Sequence, residues 1–72
     1  MENEKERISK MLERLSSESI DAHSEKLPEI VRDHGFEHIR TEESGSFIVR
    51  DKETQKYFRI HGNRKFEEIE SP

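Results

Sequence analysis

The stretch SFIVRDKETQKYFRIHGNRKF, residues 46–66, decides the fold of this chain. It contains two short runs rich in β-branched and aromatic residues, SFIVR and KYFRI, separated by the turn-like segment DKETQ. A run of the same kind, FEHIR at 36–40, lies upstream and is separated from them by TEESG. The pattern predicts a three-stranded antiparallel β-meander over about residues 36–62.

The region upstream of the predicted strands has a helical period. Ile8, Met11, Leu12 and Leu15 follow the i, i+3, i+4, i+7 spacing of an amphipathic helix. The residues between them are good helix formers of mixed charge. The spacing predicts a helix over about residues 3–16. Its apolar stripe has three uses open to it: packing on the sheet, pairing with a second copy in a homodimer, or docking on a partner.

A second helix is predicted before Gly35. Pro28 is tolerated only in a first turn, so we expect the helix to start near Ser24 or Glu25, with Ser24 as the N-cap. It should end at His34, with Gly35 as the left-handed residue that follows. Residues 17–23 are either a loop or a separate helical turn.

These elements predict one α+β domain over residues 1–72, with one or two N-terminal helices (about 3–34) packed on the three-stranded antiparallel β-meander in the order α-α-β-β-β. The tail, residues 63–72, is compatible with a fourth strand or with a short helix that packs Phe66 and Ile69.

The composition limits the class of protein. Only 28% of the 72 residues are hydrophobic and 42% are charged, against about 25% charged in an average soluble domain. There is no cysteine, which excludes disulfides and thiolate metal sites. No apolar run approaches the roughly 20 residues of a membrane span, and the charged N-terminus does not resemble a signal peptide. We therefore expect a cytoplasmic protein that does not contact a membrane.

The charge is unevenly distributed along the chain. Residues 1–45 carry a net −5, residues 46–66 a net +4, and residues 67–72 a net −3, within a total of −4. The overall acidity disfavours nonspecific binding to nucleic acid, whereas the local basic segment permits it.

Strand alternation divides the predicted sheet into two faces. The face toward the helices would hold Ile39, Phe47, Val49, Phe58 and Ile60. The opposite face would then show His38, Arg40, Ile48, Arg50, Tyr57, Arg59 and His61. From this second set we select as binding-face candidates Arg40, Arg50, Tyr57, Arg59 and His61. Basic and aromatic side chains on an open sheet suit RNA, but any solvated sheet face carries such residues too.

Catalytic and metal-binding patterns are weak. The four histidines, His23, His34, His38 and His61, have no ligand spacing with carboxylates, since Gly35 separates His34 from His38. No serine lies in a nucleophile-elbow context, and the glycines fall in separate turns. The sequence therefore predicts no catalytic residues, no metal and no cofactor.

From Leu27 onward the chain resembles the HicA-type toxins, small mRNA interferases with a double-stranded-RNA-binding-like fold. The resemblance lies in a helix ending in GF (35–36), then an arginine, then GS (45–46) opening a strand, and a third strand ending in HGN (61–63). The family's catalytic histidine follows its GS, and this chain has Phe47 there. The resemblance thus implies an α-β-β-β order without implying cleavage activity.

We predict a small non-enzymatic binding or regulatory protein that acts through protein–protein contact, such as the regulators or inhibitors that mobile elements encode. The alternative is an RNA- or DNA-binding module that uses the basic and aromatic sheet face. The third hypothesis is a catalytically altered HicA-like ribonuclease. The expected partner is a protein, with nucleic acid as the alternative, and a homodimer through the N-terminal helix is a further prediction.

Overall fold

A computed structural model describes residues 3–61 and 65–72. The elements are α1 (Glu4–Ser17), α2 (Leu27–Asp33), β1 (Phe36–Thr41), β2 (Phe47–Asp51), β3 (Tyr57–Ile60) and β4 (Phe66–Ile69). The strands form one antiparallel sheet in the order β1-β2-β3-β4. The α+β class is confirmed. In the part of the chain that is described, no helix is long and apolar enough to cross a membrane.

The sheet has four strands, so the predicted count of three was wrong. β4 pairs with β3, with Phe66 opposite Ile60 and Ile69 opposite Tyr57. Its sequence, FEEI, places the two apolar residues three positions apart and hence on opposite faces of the sheet. A strand of this kind has no apolar–polar alternation, and that is why the tail was compatible with either a strand or a helix.

Helix α1 agrees with its prediction to within one residue at each end. The Asn3 side chain caps it, because Oδ1 accepts a hydrogen bond from the backbone N–H of Glu6 at 2.8 Å. The apolar stripe Ile8, Met11, Leu12 and Leu15 is buried in the core of the same chain. The stripe therefore packs within its own domain, against the sheet, which was the first of the three possibilities named above. A homodimer would need another surface.

Helix α2 begins at Leu27, later than predicted, and its N-cap residue is Lys26 and not Ser24. A helix capped by Ser24 would place Pro28 at the fourth helical position, where the missing N–H should bond to the cap carbonyl. Instead Ser24 starts a separate turn, and its carbonyl accepts from Leu27 N at 3.2 Å. Gly35 has φ +83°, as predicted for the residue after the helix.

The segment between the helices, which the sequence left open, contains turns and no helix. Ser19 adopts φ +56° directly after α1, and Ile20 N bonds back to the carbonyl of Leu15 at 2.9 Å. The chain therefore leaves the end of α1 sharply and runs back past the sheet toward α2.

A β-bulge in β1 corrects part of the predicted face assignment. The register shifts between His38, opposite Val49, and Arg40, opposite Ile48, which makes Ile39 the extra residue. His38 therefore faces the helices and not the outer side, and Ile39 does not occupy the predicted core position. The His38 ring lies 6.3 Å from the Phe47 ring. Strict alternation fails here because one inserted residue inverts the phase of the strand.

The remaining core prediction is confirmed. Phe47, Val49, Phe58 and Ile60 face the helices. They form one buried cluster with Ile8, Met11, Leu12, Leu15, Leu27, Ile30, Val31 and Phe36. The helices therefore cover one face of the sheet, and no helix covers the opposite face.

Candidate binding face

The sheet face that points away from the helices is called the open face here. Reading across the strands from β1 to β4, one row holds Glu37, Arg50, Tyr57 and Ile69, and the next holds Arg40, Ile48, Arg59 and Glu67. Glu42 and His61 lie at the end of this face. Four of the five candidate residues, Arg40, Arg50, Tyr57 and Arg59, thus share the open face, and His61 lies at its border.

Arg59 is the most strongly paired cation of the open face. Its Nε donates to Glu42 Oε1 at 2.8 Å and its Nη1 donates to Glu67 Oε1 at 3.1 Å. Hydrogen bonds to Glu42 and then to Glu67 raise the pKa of Arg59 above its ordinary value. The guanidinium is therefore held between two carboxylates, one from the β1–β2 turn and one from β4.

The other two arginines also have carboxylate partners. Arg50 Nη1 lies 3.5 Å from Glu37 Oε2, across the β1–β2 pairing. Arg40 Nη2 lies 4.0 Å from Glu42 Oε2. With three arginines and the carboxylates of Glu37, Glu42 and Glu67, the open face carries both signs of charge in balance.

The open face also contains three apolar or aromatic side chains, those of Ile48, Tyr57 and Ile69. Tyr57 stands directly between Arg50 and Ile69, and both Tyr57 and Ile69 are half-buried. Ile48, which simple alternation would leave exposed, has 0% of its surface accessible although no helix covers this face. The register places Arg40 and Arg59 on either side of it, and we attribute its burial to their aliphatic stems.

The basic segment 46–66 is not a single basic surface. Lys56 Nζ lies 3.4 Å from Glu4 Oε1, on the helix side of the sheet. Arg64, one of the basic residues of this segment, lies outside the described residues. Of the basic residues of this segment that the structure describes, Arg50 and Arg59 pair with glutamates on the open face, and Lys56 pairs with Glu4.

His61 connects the open face to a cleft at the end of the sheet. Its Nδ1 is 3.2 Å from Ser46 Oγ, and its Nε2 is 3.9 Å from Glu67 Oε1. Ser46 is buried, and its hydroxyl also accepts a hydrogen bond from the Ser44 hydroxyl at 3.4 Å. This arrangement positions His61 between two surfaces.

The end cleft has a volume of about 260 Å³. It lies between the C-terminal half of α1, the segment that follows it and the β1–β2 turn. The residues that line it are Leu12, Leu15, Ser16, Ile20, Asp21, Ala22, Gly45, Phe47 and His61. The cleft was not predicted, because its walls come from four parts of the chain that are distant in sequence.

Sequence reasoning missed the carboxylates of the open face. Glu37 and Arg40 share a face only because of the bulge at Ile39, and Glu67 belongs to the strand that was not predicted. Segments 37–42 and 64–68 contain charges of both signs, but the ion pairs between strands depend on the register.

Within residues 3–61 and 65–72, no group of three or more His, Cys, Asp or Glu side chains is placed to hold a metal ion. No family model, curated protein or solved structure matches this chain. The fold and the open face define a small α+β domain with a four-stranded antiparallel sheet, open on one side. Phe47, at the position of the catalytic histidine in the HicA-type toxins, is a buried core residue.

Proposed function

We propose that this chain is a non-enzymatic protein-binding module, and that its open face contacts a protein partner. The observation that supports this most is the pairing of each open-face arginine with a glutamate. A surface with both signs of charge beside the partly accessible side chains of Tyr57 and Ile69 suits a partner that carries a complementary arrangement of charges. The cytoplasmic location predicted from the sequence is part of the same proposal.

The paired charges favour a protein over a polyanion. Binding to phosphates gains its free energy from unpaired cations that displace condensed counterions. Here Arg59 is already hydrogen-bonded to two carboxylates, and those carboxylates would repel a phosphate. A protein partner avoids this cost, because it can present its own cations to the glutamates and its own carboxylates to the arginines.

Nucleic-acid binding is the second candidate, since Tyr57 and three arginines do share the open face. A stacking surface and cations are the elements that single-stranded RNA requires. This alternative predicts that affinity depends more on the total positive charge of the open face than on how the charges are arranged. The protein-binding proposal predicts the reverse.

A charge swap tests the proposal. The double variant Glu37→Arg with Arg50→Glu keeps the ion pair and the net charge but reverses the pair's direction on the open face. We expect proteins captured from an extract of the source cells by the wild type to be lost with this variant. The matched control is Glu4→Lys with Lys56→Glu, which reverses an ion pair on the helix side and should leave capture unchanged.

Capture that is equal for the wild type and both swaps would contradict a role for the open face. Specific binding of an RNA or DNA oligonucleotide, together with no captured protein, would favour the second candidate. Circular dichroism spectra of all variants must match, so that loss of capture reports on the surface and not on unfolding.

A further inference from the structure

The end cleft is apolar at its base. Leu12, Leu15 and Phe47 form its floor, and each of them is buried. Ile20 and Ala22 contribute half-buried apolar surface at the side. At about 260 Å³ the cleft is slightly smaller than the roughly 300 Å³ lower bound of small-molecule sites. Its size and lining fit one apolar side chain better than an entire ligand.

The rim of the cleft is polar and carries an acid. Asp21 lines it, and its Oδ1 accepts from the backbone N–H of His23 at 2.8 Å. Among residues 3–61 and 65–72, Asp21 forms no ion pair, unlike the glutamates of the open face. An acid at the edge of an apolar cleft complements a cation that flanks the inserted side chain.

The cleft is open on the side of the β1–β2 turn. A Cβ added to Gly45 would meet no atom within 4 Å, so this part of the rim leaves room for a passing chain. His61 lines the cleft and also lies 3.9 Å from Glu67 of the open face. The cleft is therefore adjacent to the Glu67 end of the open face, and one protein partner can contact both.

We infer that the end cleft receives a leucine- or phenylalanine-sized side chain of the protein partner, with a lysine or arginine beside it that pairs with Asp21. This inference rests on the proposed function and specifies the chemistry of the partner. Such buried anchors contribute most of the binding free energy in protein interfaces, whereas exposed ion pairs mainly orient the partner. The ion pairs of the open face would then determine specificity for the partner, and the cleft would supply most of the affinity.

A peptide titration followed by NMR tests the inference on the isolated protein. The probe is a short glycine-based peptide with a central leucine flanked by lysines. We expect its addition at millimolar concentration to shift the amide signals of Ala22, Gly45 and Phe47. Replacing the central leucine with alanine should weaken binding at least about tenfold. Replacing the lysines with glutamates should weaken binding as well, and Asp21→Asn should reduce the preference for the lysine peptide.

The matched variants use two exposed serines of α1. Ser16→Phe places a ring at the mouth of the cleft and should abolish the peptide shifts. Ser9→Phe adds the same ring on the same helix outside the cleft lining and should leave them unchanged. Shifts that are absent with every peptide would overturn the inference. Equal affinity of the leucine and alanine peptides, or of the lysine and glutamate peptides, would also overturn it.

Failure of this inference is distinguishable from failure of the proposed function. Glu37 and Arg50 lie at the opposite end of the open face from His61, so their swap should not alter the peptide titration. If the swap abolishes capture of a protein partner while the peptides do not bind, the open-face proposal stands and the cleft inference fails. If the peptides bind as expected but the swap leaves capture unchanged, the open-face proposal fails alone.

Discussion

Arg7 of α1 and Asp51 at the end of β2 form a bidentate ion pair that ties the helix to the sheet. Both Nη atoms of Arg7 donate to the carboxylate, which has 0% of its surface exposed. The guanidinium also lies 5.0 Å from the centre of the Phe36 ring. On its other side Asp51 Oδ1 accepts from the backbone N–H of Glu53 at 2.9 Å. One carboxylate thus fixes both the helix and the β2–β3 turn.

We predict that Asp51→Asn destabilises the fold by about 3 kcal/mol or more, because it leaves the Arg7 cation without its countercharge in a largely buried site. A domain of this size has a total stability of roughly 3–5 kcal/mol, so the variant should be largely unfolded at 37 °C. Urea unfolding followed by circular dichroism measures the change. The asparagine keeps an oxygen for the turn N–H groups, so the loss reports on the ion pair.

The control is Glu53→Gln, since Glu53 lies 3.7 Å from Arg7 but its side chain is 80% exposed. It should change stability by less than about 0.5 kcal/mol.

Burial alone would raise the pKa of Asp51, but the Arg7 hydrogen bond and the turn N–H groups lower it below its ordinary value of 3.8. The difference in unfolding free energy between the wild type and Asp51→Asn should therefore decrease as the pH falls below 3.8, because the carboxylate becomes protonated. A similar loss for both variants would contradict this account.

The second prediction concerns His38. Burial lowers its pKa below the ordinary value of 6.5, so folding favours the neutral ring. The Thr41 hydroxyl donates to the Ala22 carbonyl at 2.7 Å, and so His38 Nε2, 3.0 Å from that hydroxyl, must donate to its oxygen. This neutral tautomer joins the sheet to the segment that forms one wall of the end cleft.

Since the folded-state pKa is the lower one, His38 contributes stability above pH 6.5 that is lost as the pH falls through its lowered value. We expect His38→Gln to remove this part of the pH dependence, because glutamine can donate to Thr41 but does not titrate. Urea unfolding of both proteins at a series of pH values between 7 and 5 is the measurement. Parallel curves for wild type and variant would show that another group is responsible.

The third prediction is that Ile48→Ala costs about 2 kcal/mol or more, as a buried core isoleucine would, although Ile48 is on the open face. We attribute the burial of Ile48 to the stems of Arg40 and Arg59, its neighbours across the strands, and alanine would leave a gap beneath them. Thermal or urea unfolding measures the loss. A cost of less than about 0.5 kcal/mol is what a solvated position would give, and it would show that the arginines do not cover the side chain.

The fourth prediction compares two glycines with positive φ. Gly35→Ala should cost about 1–2 kcal/mol for the left-handed backbone, and more because its Cβ would lie 3.0 Å from Arg7 Nη1. Gly45→Ala has the same kind of backbone, at φ +93°, but no atom lies near the added Cβ. The difference in unfolding free energy between the two variants thus measures the crowding of Arg7. An equal cost would mean that Arg7 moves aside freely.

The sequence predicted the elements in which a regular hydrophobic period places all apolar residues on one face. The stripe of α1 and the inward residues of β2 and β3 were confirmed because each apolar set occupies a single face. β4 was not predictable, since Phe66 and Ile69 point to opposite faces and the strand exists only by pairing with β3. Tertiary pairing, and not local preference, forms such a strand.

The candidate site was predictable in its cations but not in their environment. Alternation placed Arg40, Arg50 and Arg59 on the correct face. It also placed His38 on that face, which was wrong: the bulge at Ile39 lets His38 face the helices while Arg40, two residues later, faces the other side. Their glutamate partners come from β1, from the β1–β2 turn and from β4. Side-chain pairs between strands depend on register, which the sequence does not specify.

The most direct test of the central claim is the dissociation constant of the purified captured partner for the wild type and for the Glu37→Arg with Arg50→Glu swap. Reversed charges would face like charges on the partner, so we expect affinity to fall at least about tenfold at physiological salt. The Glu4→Lys with Lys56→Glu control should bind as the wild type does. Equal dissociation constants for the wild type and the open-face swap would contradict the claim that this face contacts the partner.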